Sequence, residues 1–180
     1  MESLVIRYGL VGIFLGVAVE GEPFALAGGV LAHRGWLSPW AAAATTIGGA
    51  CFVDQFWFHL SRHYRQSRVV ASLVRRPAFS RALGLVERHP VWFVLLFRFA
   101  YGLRAVAPVA IGSSRVPARL FVPLNVVAAV VWGILFTAAG YLAGPAFERV
   151  EARYGSSVTL VTIGVSALVL LYALRRGPRR

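Results

Sequence analysis

The stretch Phe97-Arg98-Phe99-Ala100-Tyr101-Gly102-Leu103-Arg104-Ala105-Val106-Ala107-Pro108 lies inside an otherwise apolar run over residues 91–111. A run of that length is long enough to enter a bilayer. At the bilayer centre each arginine costs about 2.5–3.5 kcal/mol on insertion scales. Gly102 and Pro108 oppose an unbroken helix, because a proline removes a ladder donor and clashes one turn back. Broken backbone survives at membrane depth only where protein or a water-filled cavity covers it. The stretch is therefore expected to form a re-entrant hairpin that presents Arg98 and Arg104 to an anionic ligand or to carboxylates. The alternative is a short spanning helix whose arginines snorkel to one interface. Arg98 lies too far from either end of the run to do so easily.

The rest of the chain has the composition of the bilayer. Hydrophobic residues make up 58% of the 180 positions and charged residues 14%, and the apolar segments fall in several separate runs. One cleaved leader cannot account for them, and residues 4–19 run straight into Glu20 with no small-residue cleavage site. This reads as one integral membrane domain over residues 1–180, since no linker or soluble stretch is large enough to hold its own core. The net charge of +12 would suit nucleic acid, but its placement argues against that partner. All the basic side chains are arginines apart from the histidines, and they gather at 62–88 and 175–180, between or after apolar runs. Cytoplasmic loops facing anionic lipid are expected to look like this. Cys51 is the single cysteine, which excludes a disulfide framework or a thiolate metal cluster.

Taken in order, residues 4–19 form a helix with Gly9, Gly12 and Gly16 at spacings that allow close helix approach. Glu20-Gly21-Glu22-Pro23 breaks it, and residues 24–32 resume a helix too short to span. A second re-entrant hairpin, about 4–35, is expected here, carrying acids where the one at about 91–112 carries arginines. Ser38 as N-cap and Pro39 at the first helical position start a long helix over about 39–62, with Asp54 at membrane depth. Residues 67–88 are basic and amphipathic and interrupted at Pro77, which suits the cytoplasmic lipid surface. A helix over about 119–144 carries Asn125 and Trp132, and Glu148, Arg149, Glu151 and Arg153 form a neutral loop. A last spanning helix is expected over about 156–174, followed by a basic cytoplasmic tail. With both basic clusters inside, the acidic hairpin enters from outside and the arginine hairpin from inside. Hairpin plus helix then occurs twice in opposite orientation, the inverted-repeat plan of many transporters.

Six side chains carry the chemistry. Glu20 and Glu22 flank one glycine, and two carboxylates that close out of water disfavour double ionisation, so one is expected to hold a proton. They could equally serve to pair with Arg98 and Arg104 and make the break tolerable. Asp54 joins these acids or caps a backbone break, and Asn125 bonds to a broken hairpin. His33, His59, His63 and His89 lack ligand spacing, and no metal or other cofactor is expected.

On these residues the chain resembles the DedA family, also called the VTT or SNARE-associated domain family. The resemblance rests on Glu20-Gly21-Glu22 running into Leu26-Ala27-Gly28-Gly29, on Asp54-Gln55-Phe56-Trp57, and on Phe97-Arg98-Phe99 through Gly102-Leu103-Arg104 to Pro108 and Gly112. Asn125, Trp132 and Gly140-Tyr141-Leu142-Ala143-Gly144 complete it. Val53 and Ser61 stand where the family usually has glycines. The resemblance implies a transporter in the bacterial inner membrane that moves a phosphate-headed lipid, undecaprenyl phosphate or a phospholipid, with dependence on the proton motive force. It places Glu20, Glu22, Arg98 and Arg104 on the family's essential acidic and basic positions. Arg98, Arg104 and Asn125 are thus expected to bind substrate, and Glu20, Glu22 and Asp54 to carry protons. Arginine forks suit a phosphate. The rival is a proton-coupled antiporter of small cations or drugs in which the acids form the binding site. An enzyme is not expected, since the sequence holds no nucleophile elbow and no paired metal motif. A homo-oligomer remains open.

Overall fold

The computed structural model describes residues 2–65, 67, 77–100, 103, 104 and 106–154, and these are all helix and connection, with no strand among them. The helix expected over 156–174, the tail, residues 68–76 and Gly102 lie outside the described residues. Among the described residues seven α-helices follow in order: α1 (Glu2–Val19), α2 (Glu22–His33), α3 (Pro39–His63), α4 (Pro77–Arg88), α5 (Pro90–Leu96), α6 (Ala107–Ser113) and α7 (Ala118–Tyr154). A single 3-10 turn, Phe97–Phe99, continues α5 into the arginine stretch.

Each break has a local cause. Gly21 takes φ +78°, the left-handed region, and its carbonyl at once accepts the amide of Ala25 to start α2. The expected break is therefore tighter than the sequence suggests, because Pro23 falls in the first turn of α2, where its missing N–H costs nothing. At the other end of α2, Gly35 N–H bonds to Ala32 and Trp36 N–H to Leu31, both at 3.1 Å, a Schellman termination with Gly35 at φ +74°. Ser38 does occupy the N-cap of α3, but its hydroxyl makes no capping bond. Pro77, Pro90 and Pro108 likewise stand in first turns and begin their helices, whereas Pro123 and Pro145 lie inside α7.

The helices α3 and α7 are the two supports on which the shorter pieces pack. Along α3 the buried positions are Ala42, Thr46, Gly49, Ala50, Asp54, Phe58 and Ser61, one stripe at helical spacing. Two apolar clusters result. Ile13, Val17, Ala25, Leu37, Ala50, Ala129 and Trp132 form one, from α1, α2 and the adjoining parts of α3 and α7. Phe58, Phe79, Val86, Phe93, Phe97, Ile111 and Phe121 belong to the other, from α4, α5, α6 and the remaining parts of the same two supports. Asp54 stands between Ala50 and Phe58, and Asn125 between Phe121 and Ala129. The polar residues mark the seam where one cluster gives way to the next.

Outward faces are apolar where a soluble protein would be polar. On α1, Tyr8, Val11, Leu15 and Val19 are exposed, and on α7 so are Val127, Val131, Ile134, Leu135 and Leu142. Contiguous stripes of this size call for a cover of lipid or protein. By length and composition Ala118–Val150 is an apolar helix able to cross a membrane, with a mean hydropathy of 2.2. It corrects the expected loop over 148–153: α7 continues unbroken to Tyr154, with Arg149 Nε donating to the Pro145 carbonyl at 3.2 Å. Hydropathy marks where the apolar run stops; the helix goes on past Gly144 and Pro145 into residues that favour it.

One fastening was not foreseen. Arg62 lies over the Phe58 ring at 4.9 Å and donates to the carbonyls of Gly112 and Ser114 (3.4 and 3.1 Å) and to that of Val116. It ties the end of α3 to the segment leaving α6. An Arg62→Met variant is expected to speed amide exchange across residues 112–116 by about tenfold or more, the worth of a charge-assisted bond. Unchanged exchange there would assign the fastening to packing alone.

Candidate functional site

The arginine stretch supplies two guanidiniums by two routes. Arg98 sits on the 3-10 turn, whose tight winding aims it at the seam between the two clusters, and it is only 5% exposed. Its Nη2 lies 2.6 Å from Asp54 Oδ2 and donates to the Ala50 carbonyl at 3.0 Å and to Asn125 Oδ1 at 3.1 Å. The guanidinium also faces the rings of Phe97 and Trp132, at 5.7 and 5.9 Å from their centroids. A buried ion of this kind needs both a countercharge and a full hydrogen-bond shell. Asp54 provides the first, and α3 and α7 provide most of the second.

Arg104 lies in the turn before α6 and is less enclosed. It pairs with the Glu22 carboxylate and donates to the Glu20 backbone carbonyl. That carbonyl belongs to the end of α1, where the helix dipole favours a cation. Gly21 is needed for more than its φ, because a Cβ there would fall on the Arg104 guanidinium. The two breaks, far apart in sequence, are thus joined across one ion pair.

The expected residues therefore gather, with the partners sorted more finely than the sequence could say. Arg98 takes Asp54 and Asn125, and Arg104 takes Glu22 and the main chain of Glu20. Among the described residues Arg98 pairs with Asp54 of α3 and not with an acid of the first hairpin. Glu20 contributes its carbonyl, and among the described residues its carboxylate forms no ion pair. The Ala50 carbonyl and Trp132 are members that sequence reasoning missed. Trp132 carried a signal, as a tryptophan two helical turns along from Asn125 on the same apolar helix. The fastening by Arg62 had none.

Both guanidiniums face a single cavity of about 290 Å³, lined among others by Gly21, Asp54, Trp57, Arg98, Arg104 and Trp132. It holds two cations, each paired with a carboxylate, Arg98 with Asp54 and Arg104 with Glu22. Among the described residues no group of three or more metal-ligating side chains occurs.

A family model described as the VTT domain matches residues 19–142, which takes in every side chain of this site. The inner membrane protein YohD of Escherichia coli is 31% identical over all of this chain and 96% of its own length. Undecaprenyl phosphate transporter A of Bacillus subtilis is 23% identical, covering 91% of this chain and 86% of that protein. Protein DedA of Escherichia coli is 32% identical over a shorter stretch, 41% of this chain. No solved structure matches the chain significantly.

Proposed function

The chain belongs to the VTT-domain family, the DedA membrane proteins, and we propose that it transports a phosphate-headed lipid across the inner membrane. The substrate is a polyprenyl phosphate such as undecaprenyl phosphate, or a phospholipid. Arg98, Arg104 and Asn125 hold the phosphate, and Glu22, Asp54 and Glu20 exchange protons for it. The observation that carries this reading is that both guanidiniums line one cavity between the two broken segments. A transporter named for undecaprenyl phosphate among the relatives supports the substrate class.

In this reading the pairs α1–α2 and α5–α6 are re-entrant hairpins entering from opposite sides, each followed by a spanning helix. The 12 residues of α2 reach about 18 Å and the seven of α6 about 10 Å, well short of a hydrocarbon core of roughly 30 Å. The 25 residues of α3 suffice. The amphipathic α4 lies on the cytoplasmic surface, and the C-terminus is cytoplasmic. A lipid head entering the cavity keeps its tail in the bilayer. Its phosphate competes with Glu22 and Asp54 for the same two cations, and each displaced carboxylate is neutralised by a proton. Departure of the phosphate reverses the exchange, which links head-group movement to a proton gradient. The cation-antiporter reading is weaker, because Asp54 and Glu22 are already matched by arginines and the cavity offers no surplus of negative charge.

Purified protein in liposomes, with movement of a prenyl phosphate head group followed with and without a pH gradient, tests the proposal. Arg98→Lys and Arg104→Lys together are expected to lower the rate by a hundredfold or more, since an ammonium cannot reproduce the bidentate fork. Glu20→Gln and Glu22→Gln should keep head-group binding and lose the response to the gradient. Full transport with both lysines would reduce the arginines to generic charge, and an intact gradient response in the double glutamine variant would remove that pair from proton coupling.

A further inference from the structure

Three buried N–H donors in this region have no hydrogen-bond partner among the described residues: Arg98 Nε, Asn125 Nδ2 and Trp132 Nε1. Trp132 is 1% exposed, lines the cavity, and has its ring beside the Arg98 guanidinium. A buried donor left unmade is costly, and nearly all such groups in folded proteins find a partner. Three of the unmet groups at the seam are thus donors and one, Asp54 Oδ2, is an acceptor, while the neighbouring acceptors Asn125 Oδ1 and the Ala50 carbonyl are already taken by Arg98. Asp54 Oδ2 holds Arg98 by charge at 2.6 Å without a well-aligned hydrogen bond. What fits the three donors is a ligand rich in acceptor oxygens, as an ionised phosphate is.

We propose that Trp132 is a direct ligand of the lipid phosphate, its Nε1–H donating to a phosphate oxygen beside Arg98. This deepens the transport reading and rests on it. A neutral donor suits the position. Another cation would need another buried countercharge, whereas an indole N–H adds a hydrogen bond at no cost in net charge. The large ring lines the cavity and lies tilted against Phe136, centroids 4.9 Å apart, which limits its freedom to turn away.

The test is binding of farnesyl phosphate, with farnesol as the headless control, to the purified full-length protein and to Trp132→Phe. Phenylalanine keeps an aromatic face toward Arg98 and removes the donor together with part of the ring, a loss of packing that farnesol binding and thermal unfolding register separately. The expected result is an affinity for farnesyl phosphate about tenfold to a hundredfold lower in Trp132→Phe, with farnesol binding unchanged in both. Equal affinity for farnesyl phosphate in the two proteins would overturn the role of Trp132 and leave the transport reading standing. Failure of the wild-type protein to bind farnesyl phosphate more tightly than farnesol would overturn both. Should Trp132→Phe not fold, the indole N–H resonances of a Trp57→Phe variant, which removes the other cavity-lining tryptophan, decide the matter. One resonance moving downfield with farnesyl phosphate and not with farnesol supports the assignment, and none moving overturns it.

Discussion

Replacing Arg98 by methionine should cost about 3–5 kcal/mol of stability, because it leaves the Asp54 carboxylate charged and unpartnered in the interior. For a chain of this size that is a fall in Tm of roughly 10 °C. Methionine keeps an unbranched stem of similar length, so the loss would come from charge and hydrogen bonds more than from volume. Asp54→Asn added to Arg98→Met should recover most of the stability, since the pair is then neutral and Asn can share the bonds to Ala50 and Asn125. The double variant should nevertheless remain without transport. Thermal unfolding in detergent for the four proteins of this cycle gives the coupling directly. Should Arg98→Met and the double variant unfold at the same temperature, Asp54 does not depend on Arg98, and the pair is not what holds the seam together. The separation of stability from transport is the informative part: a purely structural arginine would be replaceable by a neutral pair with function intact.

A second large effect is expected at the contact between α2 and α7. A Cβ on Gly29 would meet the backbone of α7 at Thr137 and Tyr141, and a Cβ on Gly140 would meet the Leu26 carbonyl of α2. The obstacle in both cases is main chain, which cannot turn aside as a side chain can. Without a hydrophobic force between helices in lipid, such close backbone packing is what holds them together. Gly29→Ala and Gly140→Ala should therefore each cost about 2–3 kcal/mol, at the upper end of overpacking effects. Gly12→Ala in α1 is the control, since nothing lies within 4 Å of its added methyl. There alanine should be neutral or stabilising by about 0.5–1 kcal/mol, as expected inside a helix. Thermal unfolding of the three single variants decides: similar values for Gly29→Ala and Gly12→Ala would mean that α2 does not depend on its close approach to α7. Because α2 carries Glu22 at its first turn, the same variants should also loosen the ion pair to Arg104 and lower transport.

Much of this protein could be read along the chain, because the signals are local. The apolar runs, the break at Gly21, the arginine stretch and the amphipathic α4 each depend on residues within a few turns of one another. The cost of charge at membrane depth then demanded that acids and arginines be brought together, whatever the detailed packing. Which acid meets which arginine was a different matter. Glu22 and Arg104 are 82 residues apart, and Arg98 finds Asn125 27 residues on. Those pairings depend on how α3 and α7 cross and on which small residues let them approach, and no local pattern encodes that. The same holds for the fastening of the 112–116 segment by Arg62 and for the unmet donor of Trp132. An indole on an apolar helix reads as core from its neighbours in sequence. Only when the tertiary structure sets it beside a buried guanidinium, with its N–H unmet, does it become a candidate ligand. Hydropathy and chain breaks are one-dimensional quantities and were determined by the sequence alone; hydrogen-bond partnership is a matter of distance and direction, and the packing decided it.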